Sequence, residues 1–219
     1  MKNLKTLLAI ALFPVAALAA PDAKACGMAI EMAPQPNKPK TPVQNVAAAE
    51  HSLDAGQNAS AVKAVVASFP KVRDTEAGAN PVETRALRVF AIAVVRSNGA
   101  VNERTAGADG PEWTPAANLA WAVQSLREID ARRPNDPAVQ ADLGEALSKI
   151  PGKQDEAMKL LGSLAQKDLM GSPFAYAALA KLRSDKGDSA AAEAAVKKCE
   201  EMSRSPGVCK PAKPVVAKA

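Results

Sequence analysis

One spacing constrains this chain more than any other feature. Ala122, Leu126 and Ile129 stand at i, i+4 and i+7; Ala157, Leu161 and Leu164 repeat that spacing 35 positions later, and Ala192, Val196 and Cys199 repeat it after another 35. The spacing gathers small and apolar side chains on one face of an α-helix. A fixed interval of this length points to helix pairs stacked on one another, because a single pair leaves its apolar face uncovered. Ala61, Val65 and Ser68 carry the same theme nearer the start.

Helix starts are marked by a capping residue followed by proline: Thr41-Pro42, Asn80-Pro81, Thr114-Pro115, Asp136-Pro137 and Ser172-Pro173. The cap side chain accepts from a free N–H, and proline at the first helical position forfeits no bond. Gln44 and Glu83 follow their caps by three residues and predict capping boxes, while Asn58 and Asp188 read as further caps. Together these signals predict eight helices near 42–56, 58–69, 81–98, 114–133, 137–150, 153–168, 173–186 and 188–203, pairing in order. No alternating β-branched run suggests a strand. The fold class expected is all-α, an antiparallel helix-pair array forming a short α-solenoid over residues 42–203. Aromatics are only 3% of the chain against 47% apolar residues, so the core must come from closely approaching helices.

Part of this array matches a known pattern. The run Pro134-Asn-Asp-Pro-Ala-Val-Gln-Ala-Asp-Leu143-Gly144-Glu-Ala-Leu147 resembles the join between two tetratricopeptide (TPR) repeats. In that family a proline closes one repeat and a Leu-Gly pair marks tight packing in the next first helix. Tyr176, Leu179, Ala180 and the Lys186-Gly187-Asp188 turn fall at the family's aromatic, leucine, small-residue and turn positions, with Ala157 and Ala192 at its small second-helix position. The resemblance covers residues 114–203 best; the Pro151-Gly152 turn is one residue longer than the family's, and the helix at 137–150 lacks its aromatic. It implies a protein–protein interaction module with ligands along the concave faces of the first helices. On this chain that surface carries Glu50, Glu145, Ser148, Lys149, Phe174 and Lys181.

The N-terminus speaks to compartment. A basic start with Lys2 and Lys5, a short apolar run to Ala20, and two A-x-A sites ending at Ala19 and Ala25 read as a secretory signal peptide over residues 1–25. Cleavage at the second site would leave Cys26 first, which admits lipidation there. Residues 26–41 form a proline-rich linker. The expectation is an exported periplasmic or extracellular adaptor or scaffold of the bacterial cell envelope, anchored to the outer membrane if Cys26 is lipidated. Its alternatives are an envelope lipoprotein acting as tether or spacer, and an enzyme or enzyme accessory with its site at the 98–113 loop. Contact with a membrane follows only if Cys26 is lipidated.

Catalytic chemistry finds little support. His51 is the only histidine and has no partners at catalytic or metal-ligand spacing. Asp155-Glu156, Asp185-Asp188 and Glu200-Glu201 stand among lysines, as on a solvated helix face. Neither a catalytic set, a metal site nor a cofactor is expected. Nucleic acid is discounted as a partner, because removing residues 1–25 takes three lysines and one aspartate from a net +5 and leaves +3. Among the scarce aromatics, Trp113 ends the long loop as a staple, a core plug or a binding anchor, and Trp121 follows on the next helix. Cys199 and Cys209 are expected to pair after export, with residues 204–219 a disulfide-pinned and then disordered basic tail.

Overall fold

The computed structural model describes residues 40–101, 114–205 and 207–210. Residues 1–25, read above as a signal peptide, Cys26, most of the proline-rich linker, Trp113 with most of its loop, and the tail past Lys210 lie outside them. Among the described residues there are eight α-helices and no strand: α1 (Pro42–Asp54), α2 (Asn58–Val66), α3 (Pro81–Arg96), α4 (Pro115–Arg132), α5 (Pro137–Ser148), α6 (Gln154–Gln166), α7 (Pro173–Asp185) and α8 (Ser189–Met202). The all-α expectation holds. No helix among them is long and apolar enough to cross a membrane.

The caps explain where helices begin. Thr41 forms a complete capping box with Gln44, and Thr114, Asp136, Ser172 and Asp188 each accept from a backbone N–H of the first turn. Two expectations need correction. Asn80 accepts from Val82 and Glu83 N–H, but the bond back from Glu83 that would complete a box is not among the cap contacts. Asn58 is the first residue of α2 rather than its cap, and its Oδ1 is buried without a hydrogen bond among the described residues. The helices end one to three residues earlier than the apolar pattern suggests, and left-handed residues close α1, α3, α6 and α7, two positions past each end. Asn98 (φ 51°) and Gly99 (φ 78°) follow α3, and Gly99 N–H returns 2.8 Å to the Val94 carbonyl. The loop between α2 and α3 also holds a 3-10 turn, Val72–Asp74, which the periodicity did not announce.

Packing follows chain order. Each odd helix lies against the even helix after it, each of α2, α4 and α6 also touches the next odd helix, and the odd helices follow one another from α1 through α3 and α5 to α7. Two helices carry the centre. Nine of the ten residues from Ala86 to Val95 are buried, so α3 is enclosed nearly all round, and α5 is buried from Ala141 to Leu147. A helix in that position is apolar on every side, so any charged residue on it requires a partner. The repeated triplets face inward: Ala122, Leu126, Ile129, Ala157, Leu161, Leu164, Ala192 and Cys199 are buried, and Val196 is half-buried against the core.

The last helix is covered by a covalent closure. Cys199 on α8 is bonded to Cys209 across a separation of 10 residues, both buried, with Val208 packed on the core. By loop-closure entropy a bridge over so short a span contributes about 2–3 kcal/mol.

Gly144 is the point of closest helix approach. A β-carbon built there would lie 2.5 Å from Leu161 Cδ2, inside the apolar triplet of α6. Gly144→Ala therefore forces α5 and α6 apart or drives Leu161 off its rotamer, and should cost about 1–3 kcal/mol. Urea denaturation checks this; an unchanged midpoint would mean the two helices separate without cost.

Candidate functional site

Buried helices bring a charged stripe to the centre of the molecule. On α3, Arg85, Arg88, Ile92 and Arg96 share one face, at helical spacing. Arg85 grips Glu50 of α1 through two bonds, at 3.1 and 2.6 Å. Arg88 Nε donates to Asp142 of α5 at 2.6 Å. Arg96 holds Glu145 of α5 through Nε at 3.0 Å and Nη2 at 3.1 Å, and its Nη1 donates to the Leu53 carbonyl at the end of α1. Its guanidinium also lies 3.6 Å from the ring centre of Phe174 on α7. The Arg96 and Glu145 side chains are only 8% and 5% exposed. One side chain of α3 thus contacts the three other odd helices.

Above this stripe runs an open groove of about 1070 Å³. Its walls come from the C-terminal end of α1 (Glu50, His51, Asp54), the middle of α3, the N-terminal ends of α5 and α7 (Asp136, Phe174), and the segment leaving α8 (Met202, Arg204, Ser205). Two of the three exposed large apolar residues of the described structure, Leu169 at 48% and Met202 at 38%, lie at this groove. Leu169 is placed there by the close of α6, where Asp168 adopts φ 52° and Leu169 N–H bonds the Leu164 carbonyl.

The residues expected on the concave face separate into groups. Glu50 and Phe174 line the groove. Glu145 is buried and spent on Arg96, so it is part of the internal support. Ser148 donates to the Glu145 carbonyl, and Lys149 Nζ donates to Asn98 Oδ1. Lys181 is exposed and paired with Asp185 one turn along its own helix, at 2.7 Å. Those last three do not line the groove. The acidic pairs weighed as catalytic candidates are engaged at the surface: Asp155 with Lys186, Glu156 with Arg127 and Lys153, and Glu201 with Lys198. No cluster of potential metal ligands occurs among the described residues.

Asp142 differs from those surface acids. Burial raises its carboxyl above the ordinary carboxylate range; Arg88 and Arg96 pull it down, and Glu145 adds to the rise.

A second polar cluster seals the other side of α3. Arg73, from the 3-10 turn, stacks over Trp121 at 4.7 Å and Phe90 at 5.2 Å and donates to Asn118 Oδ1 at 2.8 Å. Asn118 Nδ2 in turn donates to the Gly99 carbonyl at 2.8 Å. Burial lowers the Arg73 guanidinium pKa to about 10. Trp121, which meets Phe90 edge-on at 5.7 Å, is a packing element of this cluster.

No protein-family model, curated protein or solved structure matches this chain. The site accordingly stands on its own geometry. The arginines and Asp142 were not singled out in the sequence, and Glu145 was expected on the binding surface; Arg88 and Arg96 sit 54 and 49 positions from their partners. The available signal was compositional: arginine inside an apolar run, and Asp142 and Glu145 on the apolar face around Gly144.

Two tests follow. Arg96→Met leaves Glu145 buried without its counter-charge and should cost about 3–5 kcal/mol, most of it recovered in Arg96→Met/Glu145→Met. Additive losses in urea denaturation would contradict a paired role. For Asp142, the raised folded value means the folded chain holds its proton more tightly than the unfolded chain. Its stabilising contribution is fully present below the unfolded value of about 3.9 and is lost as pH rises through the folded value. Asp142→Asn should flatten that part of the stability–pH curve, read as urea midpoints from acid to neutral pH; a curve unchanged by the substitution would remove Asp142 as its source.

Proposed function

We propose that the chain is an exported, TPR-like binding module, a protein–protein adaptor or scaffold of the bacterial envelope, with its partner held in the groove across the odd helices and no catalysis of its own. The observation that carries this reading is the groove itself. At about 1070 Å³ it reaches the upper end of small-ligand sites, and its length over four helices suits an extended polypeptide better than a compact metabolite. Exposed Leu169 and Met202 supply apolar anchors beside charged walls, the mixture found in protein-binding surfaces. Support for export comes from the Cys199–Cys209 bond, since disulfides persist in oxidising compartments, together with the signal-peptide reading of residues 1–25.

The test is site-specific photo-cross-linking in cells of the source organism. A benzophenone side chain at Leu169 should give a reproducible protein adduct, and one at exposed Lys63 on α2 should not. Leu169→Asp should weaken partner capture by about tenfold or more, the effect of losing a central apolar anchor. Identical adducts from both positions, or none from Leu169, would reject the groove as the binding surface.

A further inference from the structure

The groove has one wall that is not set by helix packing. Met202, the last residue of α8, and Arg204 and Ser205 beyond it line this wall, and all three lie inside the loop closed by Cys199 and Cys209. Within that loop the bonds among the described residues are local: Ser203 Oγ donates to the Ser205 carbonyl and accepts from Ser205 N–H, Ser203 N–H donates to the Cys199 carbonyl, and Val208 N–H donates to the Ser205 carbonyl. The bond also abuts the facing wall, because Cys199 Sγ lies 3.1 Å from the carbonyl oxygen of Pro173, the residue before Phe174. A single covalent link therefore borders the groove on two sides, at the loop leaving α8 and at the start of α7.

We propose that formation of the Cys199–Cys209 bond completes the binding groove, so that the chain becomes competent to bind only once it is oxidised. This rests on the reading of the groove as the binding surface. The chemistry is thiol–disulfide exchange with a donor of the protein-disulfide class. One cysteine thiolate attacks a donor sulfur, breaking the donor S–S bond and forming a mixed disulfide. The second thiolate displaces the donor sulfur, and two electrons pass to the donor, which leaves as a dithiol carrying the two protons. Before that step residues 202–205 are a helix end and a short loop whose hydrogen bonds among the described residues are all local, between residues at most four apart, a segment of low local stability. Afterwards they are held between α8 and the buried Cys209. A partner would thus meet a finished groove only in the compartment where the donor is found.

Amide hydrogen exchange on the full chain, resolved by mass spectrometry, tests this in three forms: oxidised, Cys199→Ser/Cys209→Ser, and oxidised with four glycines inserted between Gly207 and Val208. The third keeps the bond but slackens the wall, and so remains informative if the double variant unfolds. Segments 169–176 and 199–205 should exchange about tenfold faster in both altered chains, with α3 and α5 unchanged. Protection at 169–176 equal to that of the oxidised chain in the insertion variant overturns the proposal. Partner capture at Leu169 separates this inference from the function it rests on. Equal capture by the oxidised chain and the double serine variant overturns completion by the disulfide and leaves the groove reading standing. Capture indifferent to Leu169→Asp overturns the groove reading, while the exchange result still decides whether the bond holds the wall.

Discussion

The guanidinium of Arg96 is the point on which the arrangement depends. It sits on the most enclosed helix, where an unpaired charge would cost several kcal/mol, and it is satisfied from three directions by a carboxylate on α5, a carbonyl at the end of α1 and a ring on α7. None of those partners is close in sequence. Each can meet it only if its helix arrives at the right depth and rotation. Apolar packing of alanine-rich helices tolerates small rotations, because alanine faces are nearly featureless; a bidentate ion pair does not. The arginine stripe thus supplies a geometric definition that a core with few aromatics cannot.

The same reasoning accounts for the groove. Asp142 and Glu145 are consecutive members of one face of α5, yet Glu145 is closed off beneath Arg96 while Asp142 reaches the groove lining. Charge on the floor is largely internally balanced, since each arginine of the stripe already has its acid. What is left to a visitor is the rim, Asp54, Arg204 and the apolar tips of Leu169 and Met202. Such a surface selects by shape and anchor side chains more than by net charge.

Much of the fold was legible in the chain because its signals are local. Cap-proline pairs place five helix starts, and the i, i+4, i+7 triplets fix the inward face of α4, α6 and α8. The Cys199–Cys209 pairing was also readable, because only one helical turn and a reversal separate the two. The site was much less legible. Glu50 and Phe174 were placed on the groove by their position on odd helices, but Glu145 was taken for a ligand-facing acid and is internal, and Lys149 and Lys181 point to other partners. The reason is that solvent exposure of a charged residue is decided by what lies across from it. Arg88 and Arg96 carry no local mark distinguishing them from surface arginines. Trp121 drew notice only as a scarce aromatic; its packing role comes from Arg73, on a 3-10 turn without periodicity, which lies over its ring.

The ion pairs that span from α3 to α5 also set the length of the array. Stacked helix pairs are in principle open-ended, since each pair contacts only its neighbours and another can be inserted or copied. Here, one more pair between α4 and α5 would carry Asp142 and Glu145 out of reach of Arg88 and Arg96, and would leave the buried Arg96 and both carboxyl groups without those partners. Growth by duplication is thereby blocked in the middle and remains open only at the ends. At the last helix the disulfide-bound loop buries Cys209 and packs Val208 against the core. Among the described helices the spacing from α3 to α5 is thus counted out by chemistry at the centre, and the last helix is tied down by a covalent bond at its edge.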